Sequence, residues 1–219
     1  MNRSERGFTL VEIAIVLVII GLLLGGILKG QEMITQAKIK NVVADFSGVS
    51  AAYYGYQDRY RAIPGDDGGA DTRWSGAKKG DANGVVAGAY NSSTADEESR
   101  TWWDHLRRAG FVAGSGQSQP FNAATGMLGV QTGDAGATVG PTLGTTSAGA
   151  GGFSGLIICS ANLPDKIAIA VDTQMDDGVP QTGTVRGQLQ SAPNPAIDKQ
   201  AASAYAETGT NVYTLCRAL

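Results

Sequence analysis

Two hydrophobic patterns succeed one another along the first sixty residues. From Phe8 to Leu28 the chain is apolar apart from Thr9, Glu12 and a few glycines, a run long enough for a bilayer, which takes about 20 apolar residues. Further on, Ile39, Val42, Phe46, Val49, Tyr53, Tyr56 and Tyr60 recur at alternating steps of three and four, the spacing of one apolar helix face. No proline occurs before Pro64. The two patterns therefore predict a single helix from Phe8 to about Arg61, roughly 80 Å long at 1.5 Å per residue. Its first half is greasy on all sides; the stripe on its second half should pack on a globular head.

The rest of the chain reads in shorter blocks. AIPGDDGGADTRWSGAKKGDANGVVAGAY is a Gly/Asp-rich loop. Thr94-Ala95-Asp96-Glu97 offers a capping box for a helix through SRTWWDHLRRA, stopped by Gly110, with Trp102, Trp103 and Leu106 as its buried face. Residues 112 to 155 read as long loops between short strands at MLGVQ and FSGLIIC. In LPDKIAIAVDTQMDDG, Ile167, Ile169 and Val171 alternate as in a strand, whereas Ile167, Val171 and Met175 share a helix face. Proline at the start and Gly178 after the end favour the helix. Strands near TVRGQLQ and NVYTLC complete a sheet. The expected fold class is α+β: a long N-terminal helix, transmembrane in its first half, packed on a small antiparallel β-sheet head.

Composition changes this picture little. Among 219 residues there are 31 Gly but only 7% aromatics, which points to a loop-rich body. A net charge of -3 argues against a broad nucleic-acid surface. Lys78, Lys79, Arg107 and Arg108 are scattered without the aromatic interleaving of single-strand binders, so nucleic acid is not an expected partner. Arg3 and Arg6 keep the first residues in the cytoplasm by the positive-inside rule. A cleavable secretory signal would place a small-residue site after the apolar run, but LKGQEMITQAKIK follows instead. Any processing signal lies before Phe8.

Arg6-Gly7-Phe8-Thr9-Leu10-Val11-Glu12, leading into the apolar helix, resembles the class III leader of type IV pilins and of type II secretion pseudopilins. The resemblance implies cleavage between Gly7 and Phe8, and methylation of the new Phe8 amine by the same prepilin peptidase/methyltransferase. It divides the chain into a leader (1–7), a transmembrane or filament-core helix (8–28), an amphipathic continuation (29–62) and a globular head (63–219). Implied partners are other pilin subunits, an inner-membrane assembly platform and membrane lipid before assembly. The implied location is the bacterial inner membrane, head outward, then an extracellular pilus or a periplasmic pseudopilus. PGD, GDANG, W-x-HL, NLP-x-K, MDDG-x-P-x-TG-x-VRG and YTLC extend a softer resemblance, to larger pilin-like proteins, over the body. The function implied is a major or minor pilin; the alternatives are a secretion pseudopilin and a filament-tip module for adhesion or DNA uptake.

Within that frame Glu12 acquires a role. A carboxylate at membrane depth costs about 2.5 to 3.5 kcal/mol on insertion scales. It is expected to pair with the Phe8 amine of a neighbouring subunit, each charge relieving the other's desolvation, although a simple snorkel to the interface is the alternative. Many pilins carry proline where this chain has Lys29. Gly21, Gly25, Gly26 and Gly30 are expected to supply the weak helical segment instead, with Lys29 marking the outer membrane interface.

Two cysteines, Cys159 and Cys216, are expected to form one disulfide in an oxidising compartment, as pilins commonly tie their C-terminal region. Asp66, Asp67, Asp71, Asp81 and Asn83 offer hard oxygens suited to calcium, with Glu97 or Glu98 closing a site; Asx turns are the alternative. Asp172, Asp176 and Asp177 form a second acidic turn. No cofactor is required by this reading. No G-x-S-x-G or H-E-x-x-H motif occurs, and the single histidine, His105, reads as a structural hydrogen-bonding residue. An enzyme is not expected.

Overall fold

The computed structural model describes residues 9–133 and 141–219. In chain order the elements are α1 (Leu10–Tyr60), α2 (Ala70–Arg73), α3 (Glu98–Arg108), β1 (Leu128–Thr132), β2 (Leu156–Pro164), α4 (Asp165–Met175), β3 (Val185–Leu189) and β4 (Val212–Ala218). The fold is α+β, with an apolar N-terminal helix and a small antiparallel sheet. The chain divides into two compact units, Met1–Ala37 and Lys38–Leu219, each described by itself.

In the first unit α1 continues unbroken over Gly21, Gly25, Gly26 and Gly30. No neighbouring atom lies within 4 Å of the position a Cβ would take at any of the four. These glycines therefore admit the helix here, although each weakens it by up to about 1 kcal/mol relative to Ala.

The second unit is built on a four-stranded sheet ordered β1-β2-β4-β3, antiparallel throughout. One face carries Leu128, Val130, Ile158, Leu163, Val185, Tyr213 and Leu215. These pack with Ile39, Val42, Phe46, Val49, Tyr53 and Tyr56 of α1, Trp102, Trp103 and Leu106 of α3, and Ile167 and Val171 of α4. The stripe on α1 is thus core as far as Tyr56, with Tyr60 packed at its edge. Gly55 of the same helix faces the Phe111 ring, whose nearest atom lies 2.8 Å from where a Cβ would stand.

The opposite face of the sheet is also covered, and here the molecule departs from a bare one-layer head. Tyr90, Leu143, Phe153, Ile157, Cys159, Ala161, Ala201 and Cys216 form a second core beneath the loops. Cys159 and Cys216 are directly opposed on the two central strands and are disulfide-bonded. The bond staples the sheet's interior. Asn162 explains how β2 serves both cores: the register shifts between Ser160 and Leu163, and Asn162 takes a left-handed φ of 57°. The extra residue of this bulge turns Leu163 from the loop-covered face to the helix-covered one.

Both sheet edges are blunted by loops rather than left as open ladders. Along β1, the N–H of Leu128 donates to Pro120 O at 2.9 Å; along β3, Ala202 N–H donates to Gly187 O at 2.8 Å. Two expectations need correction. Thr94 does not cap α3: Glu97 is its N-cap residue without any side-chain capping bond, and its carboxylate bonds Ser92 instead. The Gly/Asp-rich loop contains the short helix α2, which alternation of polar residues conceals. At the other end of α3, Gly110 adopts φ 81° and Phe111 N–H donates to Leu106 O at 2.9 Å, the terminating turn expected there.

Candidate functional site

The N-terminal site begins at the cap of α1. The hydroxyl oxygen of Thr9 accepts the Glu12 amide at 3.3 Å, while Glu12 Oε2 accepts the Thr9 backbone N–H at 2.8 Å and the Thr9 hydroxyl at 2.7 Å. This is a reciprocal capping box, T-x-x-E, which satisfies amides that no preceding helical turn can reach. It also places a carboxylate at the positive end of the helix dipole. Glu12 thus has an intrachain partner besides the intersubunit one expected for it. The same T-x-x-E spacing at Thr94–Glu97 makes no such box. Gly7 and Phe8, the expected processing residues, lie outside the described residues.

Beyond the cap, α1 exposes its apolar side chains on every side. Leu10 is 86% exposed and Leu22 74%. The helix holds an apolar window of mean hydropathy 2.8, none of it buried within the chain. It is the one helix among the described residues long and apolar enough to cross a membrane. The polar stretch after it opens with an exposed Lys29–Glu32 ion pair at 2.8 Å.

The acidic loop sorts the five candidate calcium ligands into separate places. Asp66, Asp81 and Glu98 bring carboxylate oxygens within 4.8 Å of one another. Asp66 is buried, and its two oxygens accept Asn83 N–H at 3.1 Å and Gly84 N–H at 2.7 Å. Glu98 accepts Asp81 N–H at 3.2 Å and Ala87 N–H at 2.9 Å, and Asp81 accepts Asn83 through both of its oxygens. Burial pushes the Asp66 and Glu98 carboxyls up from their ordinary values, against these N–H donors. All six oxygens accept a hydrogen bond, so the chain alone accounts for the turn. Asp67 turns away to Arg73 and the Tyr56 hydroxyl, and Asp71 is exposed in α2. Of the two residues expected to close the cluster, Glu98 reaches it.

The second acidic turn behaves alike. Asp172, Asp176 and Asp177 also bring oxygens within 4.8 Å. Asp172 accepts the Tyr205 hydroxyl at 2.5 Å and Gly178 N–H at 3.2 Å; Asp176 accepts Val185 N–H at 2.9 Å; Asp177 accepts Val179 N–H at 2.9 Å. Burial pushes Asp172 up to about 6.

His105 is fully buried and ties two loops to α3. Its Nδ1 accepts Gly65 N–H at 2.9 Å, so Nε2 carries the proton and donates to Lys78 O at 2.6 Å. Both nitrogens being committed to backbone groups, the ring has no free nitrogen for proton transfer.

Comparison with known proteins bears on the N-terminal site. Residues 2–28 match the family model described as the prokaryotic N-terminal methylation motif. No curated protein matches the chain. Among solved structures the chain is similar to that of the major type IV pilin PilA1 from Clostridium difficile, at 12% identity and a TM-score of 0.40, over 84% of this chain and 95% of that one.

Proposed function

We infer that this chain, a member of the type IV pilin and pseudopilin superfamily, is a structural subunit of a type IV pilus-like extracellular filament. One observation carries the reading: a long helix with the N-terminal methylation motif at its start and an apolar window none of which is buried among the described residues. Before assembly lipid covers it; in a filament, other copies do. At about 25 cal/mol per Å² of apolar surface kept from water, that burial supplies most of the cohesion. The processing proposed is cleavage after Gly7 with methylation of Phe8. The prepilin peptidase/methyltransferase, the inner-membrane assembly platform and fellow subunits are the corresponding partners.

Glu12 then has two successive duties. In the free subunit it caps α1 through Thr9; in the filament it pairs with the Phe8 amine of a neighbour, a charge that the uncut chain lacks at that position. Replacing Glu12 by Ala tests this. Membrane insertion should persist while filament incorporation stops, and normal incorporation of Glu12→Ala would refute the assignment.

A further inference from the structure

Among the described residues Asp45, half-buried on α1, is the one carboxylate side chain not fully open to solvent that makes neither a hydrogen bond nor an ion pair. Burial alone acts on it, pushing its carboxyl up from the ordinary value. A desolvated, unpaired charge is costly, and such groups are normally matched. Asp66, Asp67, Asp104, Asp165 and Asp172 in the same unit are all matched.

Helix geometry rules out the nearby Lys40 as an intrachain partner and leaves it free for another copy. Lys40 is exposed and makes no ion pair. Five residues at 100° each put it about 140° around the helix from Asp45, beyond reach within one copy. The arc between them carries the exposed Asn41, Ala44, Gly48 and Ala51 and borders the core at Ala52, and nothing lies within 4 Å of the Cβ position at Gly48. Small side chains let another helix approach closely. Opposite charges on two different faces suit a heterologous contact, the kind that repeats without closing and builds filaments.

We propose that Asp45 of one copy pairs with Lys40 of the next, aligning successive subunits along the second half of α1. The occupant of this helix surface is a second copy of the chain, so the inference rests on the filament reading and refines it. Each copy offers one charge on each face. Like-charge juxtaposition at this contact would oppose assembly.

Charge exchange in the full-length chain tests it, comparing Asp45→Lys, Lys40→Asp and the double variant. Membrane amount and the Cys159–Cys216 bond serve as controls for folding. Each single variant should lower the filament-incorporated fraction about tenfold, and the double should recover most of it. Singles that assemble like the parent, or a double no better than either, would overturn the pairing while leaving the filament reading intact. Should a charge reversal prevent folding, the Lys40→Cys, Asp45→Cys chain treated in filaments with a short bis-maleimide crosslinker should give a ladder of linked copies, since an ion pair holds its Cα atoms farther apart than a direct disulfide allows, and absence of the ladder counts against the pairing. If the parent chain never enters filaments, the inference falls together with the filament reading.

Discussion

At the scale of single residues, protonation separates two buried groups that work in opposite directions. Burial holds His105 below its usual 6.5. The folded state thus binds a proton less readily than the unfolded chain, and its contribution to stability is intact above about pH 6.5 and lost as pH falls through the lowered value. Protonation would set an N–H against the Gly65 N–H. Asp172, raised to about 6 from 3.8, has the reverse sign: its contribution is full below about pH 4 and fades as pH rises through 6. Thermal midpoints of the detergent-solubilised chain against pH should show this. His105→Gln should remove the acid-side loss and Asp172→Asn the decline between about pH 4 and 6; parent-like curves in both variants would contradict the assignments. His105→Ala should cost about 1 to 3 kcal/mol for each buried backbone group it orphans, measured by denaturant unfolding.

Elements, by contrast, were legible wherever a period ran long enough. The three-and-four stripe from Ile39 to Tyr60 marked the buried face of α1, and Trp102, Trp103 and Leu106 marked that of α3. Proline and glycine around α4 decided between two periods that the apolar residues alone left open. Short-range rules failed where a tertiary partner outcompeted the local one: Glu97 bonds Ser92 rather than capping with Thr94, and Asp67 leaves the acidic loop for Arg73 and Tyr56. The second core could not be read from alternation, because Tyr90, Leu143, Phe153 and Ala201 come to it from loops that carry no period; the bulge at Asn162 in turn moves Leu163 to the first core. That bulge gives a test. Both Asn162→Gly and Asn162→Val lose the side-chain bonds that Asn162 accepts from Gln190 and from Asn194 N–H, but Asn162→Val should be the less stable of the two by about 1 to 3 kcal/mol, since a β-branched residue resists a left-handed φ. In α1, Gly55→Val should likewise lower the unfolding midpoint by driving into the Phe111 ring.

Across the whole molecule, covalent and noncovalent cohesion have separate sources. In the second unit the Cys159–Cys216 bond joins the two central strands across a sequence separation of 57 and should contribute roughly 4 kcal/mol by loop-closure entropy. Unfolding of Cys159→Ser, Cys216→Ser at matched denaturant would measure that loss. In the first unit none of the apolar window of α1 is buried among the described residues; on the filament reading its burial is supplied by lipid or by neighbouring copies. The N-terminal methylation motif was legible from seven residues because residue identity alone, without tertiary contacts, defines it. The capping role of Glu12 is equally legible in the spacing Thr9-x-x-Glu12. Filament membership and processing meet in one measurement: the intact mass of this chain recovered from sheared surface filaments. A chain beginning at methylated Phe8 is the predicted result; its absence from the filaments would contradict the subunit assignment, and its presence there with residues 1–7 still attached would contradict the processing and the Phe8–Glu12 pairing.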